Sequence, residues 1–184
     1  MDEKTYENVA MRREAGAVKR WHIVPTVGVG ETVGHHTYNA VSLLLYLNPG
    51  ASRALIIYML EHDVTERWTG DIPASAKGMF HEICLGVQIA EKTLTDEMDL
   101  MNTDGLGPTE CHWARAIDAL DAVLFCHEQL AMGNQNFENA LVSLEEWFGR
   151  EECIPDAILE FLRDYEWKRY PDWLWSGHYG DNEQ

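Results

Sequence analysis

The chain has 184 residues, of which 46% are hydrophobic, and a formal net charge of −17. This length and composition suit one globular domain with a sizeable core and exclude an intrinsically disordered chain. The acidic charge excludes the basic surface on which duplex nucleic acid binding depends, so we expect no such partner.

The sequence also predicts a cytoplasmic protein that does not span a membrane. No apolar run approaches the roughly 20 residues of a transmembrane helix, and the first ten residues lack the basic and apolar regions of a signal peptide. The cysteines are widely spaced and form no CxxC pair, which favours reduced thiols over a zinc ribbon or a disulfide framework. There are four of them: Cys84, Cys111, Cys126 and Cys153.

The N-terminal third predicts two helices separated by a loop. The first helix is short and ends near Gly16 or Lys19, and the Gly-rich residues 27–32 are typical of a loop. Residues 33–37 open the second helix. Apolar residues follow His36 at four, seven, eight and eleven positions, so His36 shares the buried face of this helix. An Asn-Pro-Gly sequence ends it sharply.

The next predicted helix contains an adjacent His62 and Asp63. Ser52 is a suitable N-cap, and the apolar stretch before His62 has no helix breaker, so both residues are expected deep in a buried helix. Glu66 is expected one turn further on the same face. A buried histidine and carboxylate are costly without a partner, and a divalent metal ion is the obvious one.

The rest of the chain predicts further helices and no strand. The predicted segments are a turn over 68–73, a helix over 77–94, a loop over 95–108, a helix over 110–132 ended by Gly133, and helices over 136–148 and 155–165. The predicted fold class is therefore all-α. The aromatic tail over 167–175 is expected to pack on the body or on a second subunit, which favours a homodimer or a larger homo-oligomer.

Two imidazoles and two carboxylates on three predicted helices form a candidate metal site. Its members are His36, His62, Asp63 and Asp118. A mixed nitrogen and oxygen donor set suits Zn, Mn, Co, Fe or Mg rather than a structural thiolate zinc. Because the set contains no cysteine, we expect open positions for water and substrate. Asp121 lies on or beside the same apolar stripe as Asp118.

Several motifs taken together resemble the HD-domain phosphohydrolases, and more narrowly the bacterial and phage 5′-deoxynucleotidases of that superfamily. These motifs are Arg20-Trp21, the VGHHT sequence at 33–37, HDVTE at 62–66, TGDIP at 69–73 with Lys77, and AIDAL at 116–120. The resemblance spans about residues 15–134. It implies a single HD-type helical bundle over 1–184, completed by C-terminal helices and the aromatic tail over 135–184. It also implies that the protein is located in the cytoplasm of a bacterium or of a phage-infected host.

The resemblance implies a role for each matching residue. The metal ligands would be His36, His62, Asp63 and Asp118. Glu66 would be the catalytic carboxylate, and Asp71 an acid that supports the catalytic site or contacts the substrate. Arg20 and Trp21 would face the substrate.

The chain departs from this family at the first ligand, because relatives usually have Glu where this chain has His35. Counting forward from Trp21 selects His35 as the ligand, whereas counting back from the helix selects His36. We prefer His36 because the buried helical face continues from it. His35 is then either a residue that supports the site or a solvent-facing substitution.

The same residues suit phosphoryl transfer. Arg20, Lys77 and Arg115 are candidate cations for the charge that develops on phosphoryl oxygens. Glu66 can orient or deprotonate the attacking water, or protonate the leaving oxygen. Trp21 can stack on a base or close the sugar pocket beside Ile23, and it can equally be a core aromatic.

The sequence thus predicts a metal-dependent phosphohydrolase of 2′-deoxynucleotides, most simply a 5′-deoxynucleotidase that releases orthophosphate. One alternative is a phage-type dATP triphosphohydrolase that releases tripolyphosphate, since three candidate cations can hold a longer phosphate chain. Another is a non-catalytic nucleotide-binding regulator. A cyclic-nucleotide phosphodiesterase is a weaker rival, because those enzymes usually resemble a longer, two-metal pattern.

Overall fold

Helices dominate the part of the chain that the structure describes, residues 3–165 of the computed structural model. This region contains no β-strand, so the predicted all-α class is confirmed. None of the helices in it is both long and apolar enough to cross a bilayer. The predicted aromatic tail over 167–175 lies outside the described residues. The helices are α1 Glu3–Ala15, α2 Val33–Leu47, α3 Arg53–Glu61, α4 Glu66–Thr69, α5 Ala74–Met79, α6 His81–Met98, α7 Pro108–Ala131, α8 Glu138–Arg150 and α9 Asp156–Asp164.

The main core forms around α7, which packs against α2, α3, α8 and α9. Leu44 from α2 and Met59 from α3 meet Ile117 and Leu120 of α7, and all four side chains are fully buried. Burial of each such side chain contributes about 1.5–3 kcal/mol relative to leaving it exposed. Because α2, α3 and α7 share this core, the polar residues at its edge are held close together.

Two helix ends agree with the local chemistry of the sequence. The hydroxyl of Ser52 accepts a hydrogen bond from the backbone N–H of Leu55, as predicted for an N-cap. Gly133 follows the end of α7 with a φ of 85°, a left-handed conformation that glycine adopts without steric cost.

The prediction that His62 and Asp63 lie deep inside a continuous helix is wrong. Helix α3 ends at Glu61, His62 is its C-cap, and a turn leads to the separate short helix α4. Tertiary packing stabilises this turn, since Val64 is buried against Met98 and Leu100. The two residues therefore lie at a helix end, where the side chains are no longer held to one helical face.

The predicted helix over 77–94 and the loop after it also need correction. The structure has two helices, α5 and α6, separated by Phe80 in an extended conformation. Helix α6 continues to Met98, four residues into the predicted loop, and Asp99 caps it with a φ of 54°. The remainder of the predicted loop includes one short 3₁₀ turn, Thr103–Gly105.

Hydrogen bonds fix the loop between α1 and α2 both at its base and where it contacts α7. Lys19 and Thr32 form an isolated antiparallel bridge at its base. Gly34 donates its N–H to the carbonyl of Gly16, and a Cβ at Gly34 would lie only 3.0 Å from that oxygen. At the far end, the amide of Gln129 makes two hydrogen bonds to the backbone of Val27. These contacts fix the loop that contains Arg20 and Trp21.

Candidate metal centre

The four predicted metal ligands converge where α2, the end of α3 and α7 meet. His36 Nε2 lies 3.0 Å from Asp118 Oδ1 and 3.3 Å from His62 Nε2. Asp63 Oδ1 lies 3.3 Å from His62 Nε2. Donor atoms of His36, His62 and Asp118 all lie within 4.8 Å of one another, close enough to contact one ion. The side chain of His36 is fully buried and that of Asp118 is 48% exposed, so the cluster opens to solvent on the Asp118 side.

Hydrogen bonds on the far side of each ring orient both imidazoles. His36 Nδ1 donates to Oδ2 of Asp121 over 2.7 Å, and His62 Nδ1 donates to the backbone carbonyl of Met59 over 3.0 Å. Because each Nδ1 is the donor, each neutral ring presents the lone pair of Nε2 to the cluster.

This donor set fits a divalent cation. Two Nε2 lone pairs facing each other over 3.3 Å repel unless a proton or a metal ion lies between them. Burial would lower the pKa of His36, but hydrogen bonds to Asp118 and Asp121 raise it to about 10. Desolvation by the surrounding protein atoms would raise the pKa of the half-exposed Asp118, but the His36 hydrogen bond and the charge of His62 bring it below its usual value. The cluster thus stabilises positive charge, and its mixed donors suit Zn, Co, Mn or a similar ion.

Arg20 joins two carboxylates beside the cluster. Its Nε donates to Oε2 of Glu31 over 3.2 Å, and its Nη1 donates to Oδ2 of Asp63 over 2.9 Å. Burial opposes the charge of Arg20, but Asp63 and Asp118 outweigh it and raise its pKa. The guanidinium holds one oxygen of Asp63 and leaves the other beside His62. Arg20 therefore positions Asp63, a role that the sequence did not predict.

Glu66 is a buried carboxyl at the start of α4. Its Oε2 has no hydrogen-bond partner among the described residues. Burial raises its pKa to about 8 with the help of the negative charges of Asp63 and Asp71, and against the opposing charges of Arg20 and Lys77. A buried carboxyl with an unpartnered oxygen can bind a water molecule or a substrate hydroxyl.

Asp71 and Trp21 interact directly, although they are fifty positions apart in sequence. Oδ2 of Asp71 accepts a hydrogen bond from the backbone N–H of Trp21, which has a left-handed φ of 57°. The indole stacks on Phe125 with centroids 5.8 Å apart, contacts Phe137 and donates its Nε1–H to Glu31. These contacts hold the half-buried indole against the core cluster around Phe125 and Phe137.

The remaining candidates are exposed at the surface. The side chain of Ile23 is 59% exposed, and Arg115 is exposed on α7 one turn before Asp118. His35 is exposed, whereas His36 next to it is fully buried with Nε2 inside the cluster. This geometry supports His36 as the first ligand and indicates that His35 faces solvent.

Two buried carboxylates, Glu31 and Asp121, support the cluster without having been assigned to it from the sequence. Both side chains are buried. Asp121 had a signal, since it lies three residues after Asp118 and therefore on a neighbouring part of the same helical face. Glu31 had none, because it lies in a Gly-rich loop and its partners Arg20 and Trp21 are reached only through the fold.

Comparison with solved structures identifies the fold, although neither a protein-family model nor a curated protein matches the sequence. The HD phosphohydrolase DatZ of cyanophage S-2L, solved with dA and one catalytic Zn²⁺ ion, is 21% identical with a TM-score of 0.66, covering 84% of this chain and 94% of that one. A Pyrococcus horikoshii protein is 20% identical with a TM-score of 0.64, covering 86% and 94%. A conserved hypothetical protein from Pyrococcus furiosus is 23% identical with a TM-score of 0.60, covering 86% and 95%. The chain therefore adopts the same all-α fold as DatZ and these two Pyrococcus proteins.

Proposed function

We propose that this protein is a metal-dependent phosphohydrolase of 2′-deoxynucleotides. The main support is the convergence of His36, His62 and Asp118 beside a buried Glu66 whose Oε2 has no partner among the described residues. His36, His62, Asp63 and Asp118 would hold the ion. When bound, a divalent ion polarises a phosphoryl oxygen and makes water more acidic.

The residues around the cluster would provide proton transfer, charge stabilisation and positioning of the neighbouring loop. Glu66 orients the attacking water and accepts its proton, or donates a proton to the leaving nucleoside oxygen. Lys77 on α5 is close enough to Glu66 to lower its pKa, so its ammonium is available for phosphoryl charge. Asp71 holds the backbone of Trp21 and so fixes the loop beside the site.

A deoxynucleoside monophosphate suits the charges at the site better than a triphosphate does. The triphosphate hypothesis depends on three cations, but Arg20 is already paired with Glu31 and Asp63. That leaves Lys77 and the exposed Arg115 to offset phosphate charge beside an acidic cluster. The dA in DatZ supports a deoxynucleoside as the recognised part of the substrate.

Product analysis tests this proposal. Wild-type protein loaded in turn with Zn²⁺, Co²⁺, Mn²⁺ and Mg²⁺ is mixed with dAMP, AMP or dATP, and ³¹P NMR identifies the products. We expect orthophosphate from dAMP, with little from AMP. Tripolyphosphate from dATP with inert dAMP would instead support the triphosphohydrolase. If the ion and the nucleotides bind but no substrate is turned over, the protein is a regulator.

A further inference from the structure

The hydrogen bond between His36 and Asp121 has a chemical consequence for the proposed metal site. Both side chains are almost completely buried, with exposed fractions of 0% and 5%, and the Nδ1 to Oδ2 distance is 2.7 Å. The partners lie 85 positions apart in sequence, one on α2 and the other on α7. Such a short contact to an ionised acceptor is stronger than a hydrogen bond between neutral groups.

Two carboxylates from one helix lie on opposite sides of the His36 ring. Asp118 Oδ1 is 3.0 Å from Nε2, and Asp121 Oδ2 is 2.7 Å from Nδ1. Helix α7 provides both because residues three apart share a helical face. Asp118 is therefore on the side of the ion, and Asp121 is on the side from which the ring is held.

The two imidazoles of the cluster are not held in the same way. His62 donates its Nδ1–H to the neutral carbonyl of Met59, whereas His36 donates to the carboxylate of Asp121. A carboxylate acceptor raises the basicity of the opposite ring nitrogen and fixes the ring orientation more firmly. His36 is therefore expected to be the stronger of the two imidazole ligands.

Asp121 also belongs to a second acidic cluster, with Glu31 and His36, whose donor atoms lie within 4.8 Å of one another. Hydrogen-bond donors already occupy this cluster. Arg20 Nε and Trp21 Nε1 both donate to Glu31, and His36 Nδ1 donates to Asp121. A second ion there would have to displace all three donors, so the cluster suits a supporting role.

We propose that Asp121 is a positioning residue that fixes the tautomer and orientation of His36 and strengthens its bond to the ion. This role rests on the metal site of the proposed function. Removing such a carboxylate typically lowers metal affinity 10- to 100-fold. Asp121→Ala should show a loss of this size, and Asp121→Asn a smaller one, because an amide oxygen can still accept the Nδ1–H but has no charge.

The test measures metal affinity and ligand geometry in full-length protein. Zn²⁺ affinity is measured by competition with a chromophoric chelator, and the visible absorption bands of the Co²⁺ form report on the ligands. The control is Leu141→Ala, which opens a cavity in the core cluster around Phe125 and Phe137. We expect weaker Zn²⁺ binding and altered Co²⁺ bands in both Asp121 variants, and wild-type values in the control despite its lower stability.

The possible outcomes separate failure of the positioning role from failure of the proposed function. Wild-type affinity and wild-type Co²⁺ bands in folded Asp121 variants would overturn the positioning role alone. If Asp121→Ala fails to fold, Asp121→Asn decides, and an unchanged affinity there overturns the role. A wild-type chain that binds neither ion would overturn the proposed function, and this role with it.

Discussion

The Nε2 atoms of His36 and His62 lie 3.3 Å apart, and the Nδ1 atom of each ring is already used as a donor. A divalent ion would bind both Nε2 lone pairs and replace the proton that the raised pKa of His36 otherwise keeps in the cluster. We expect Zn²⁺, Co²⁺ or Mn²⁺ to raise the unfolding temperature of the wild-type protein. At an ion concentration of about 100 times Kd, the gain is roughly 2.7 kcal/mol.

His62→Ala should lose this gain while the metal-free protein still folds. Differential scanning calorimetry with the ion and with EDTA measures both quantities. An equal metal-dependent shift in His62→Ala and wild type would show that the ion binds elsewhere.

The adjacent His35 and His36 provide a matched pair for testing which one is the first ligand. His36 is buried in the cluster and His35 is exposed, so His36→Ala should abolish metal binding and His35→Ala should leave it unchanged. Equilibrium dialysis with metal analysis measures the bound ion per chain. Retained binding in His36→Ala together with loss in His35→Ala would show that the chosen ligand is wrong by one position.

Arg20 should contribute strongly to stability even without an ion. Arg20→Ala leaves Glu31 and Asp63 without their shared partner, and removing one member of a buried ion pair costs roughly 3–5 kcal/mol. Arg20→Lys should cost less, although an ammonium lacks the planar fork that reaches both acids. Urea unfolding in EDTA measures the change.

The control is Arg150→Ala, whose ion pair with Glu146 is exposed and should contribute under about 1 kcal/mol. Arg20→Ala with a loss no larger than this control would contradict a positioning role for Arg20.

Glu66 should make the metal-free protein less stable as the pH rises. Its pKa increases from 4.5 to about 8 on folding, because of burial and the charges of Asp63 and Asp71. The folded chain thus holds this proton more tightly than the unfolded chain. Its contribution to stability is complete below the unfolded pKa of 4.5 and is lost as the pH rises through about 8.

Glu66→Gln should therefore gain stability relative to wild type between about pH 5 and about pH 9, measured by urea unfolding in EDTA. Glu82→Gln, at an exposed position on α6, should show no such gain. A difference between Glu66→Gln and wild type that stays constant with pH would contradict the raised pKa.

Local sequence signals correctly predicted two helix ends and the buried face of one helix. Ser52 and Gly133 identified two helix ends, and the apolar spacing after His36 identified the buried face of α2. The end of α3 at Glu61 had no such signal, since no Gly or Pro follows until Gly70. The turn there depends on Val64 packing against residues of α6 and the segment after it, which only the fold brings together.

The same distinction between local sequence signals and contacts made only by the fold applies to the site. His62 and Asp63 stood out because an adjacent His-Asp pair after an apolar stretch demands a partner. The roles of Glu31 and Asp121 depend on contacts with Arg20 and His36 that join distant segments. The helical spacing from Asp118 placed Asp121 near the site without giving its role, and no local pattern marked Glu31.

The most direct test of the account compares wild type with Glu66→Gln, both loaded with the same ion and with the metal content verified. The measured quantity is orthophosphate release from dAMP. We predict full metal occupancy in both proteins and turnover in the wild type, reduced about 100-fold or more in Glu66→Gln. Metal-loaded wild type that leaves dAMP and every other deoxynucleotide intact would contradict the account, and so would equal turnover in the two proteins.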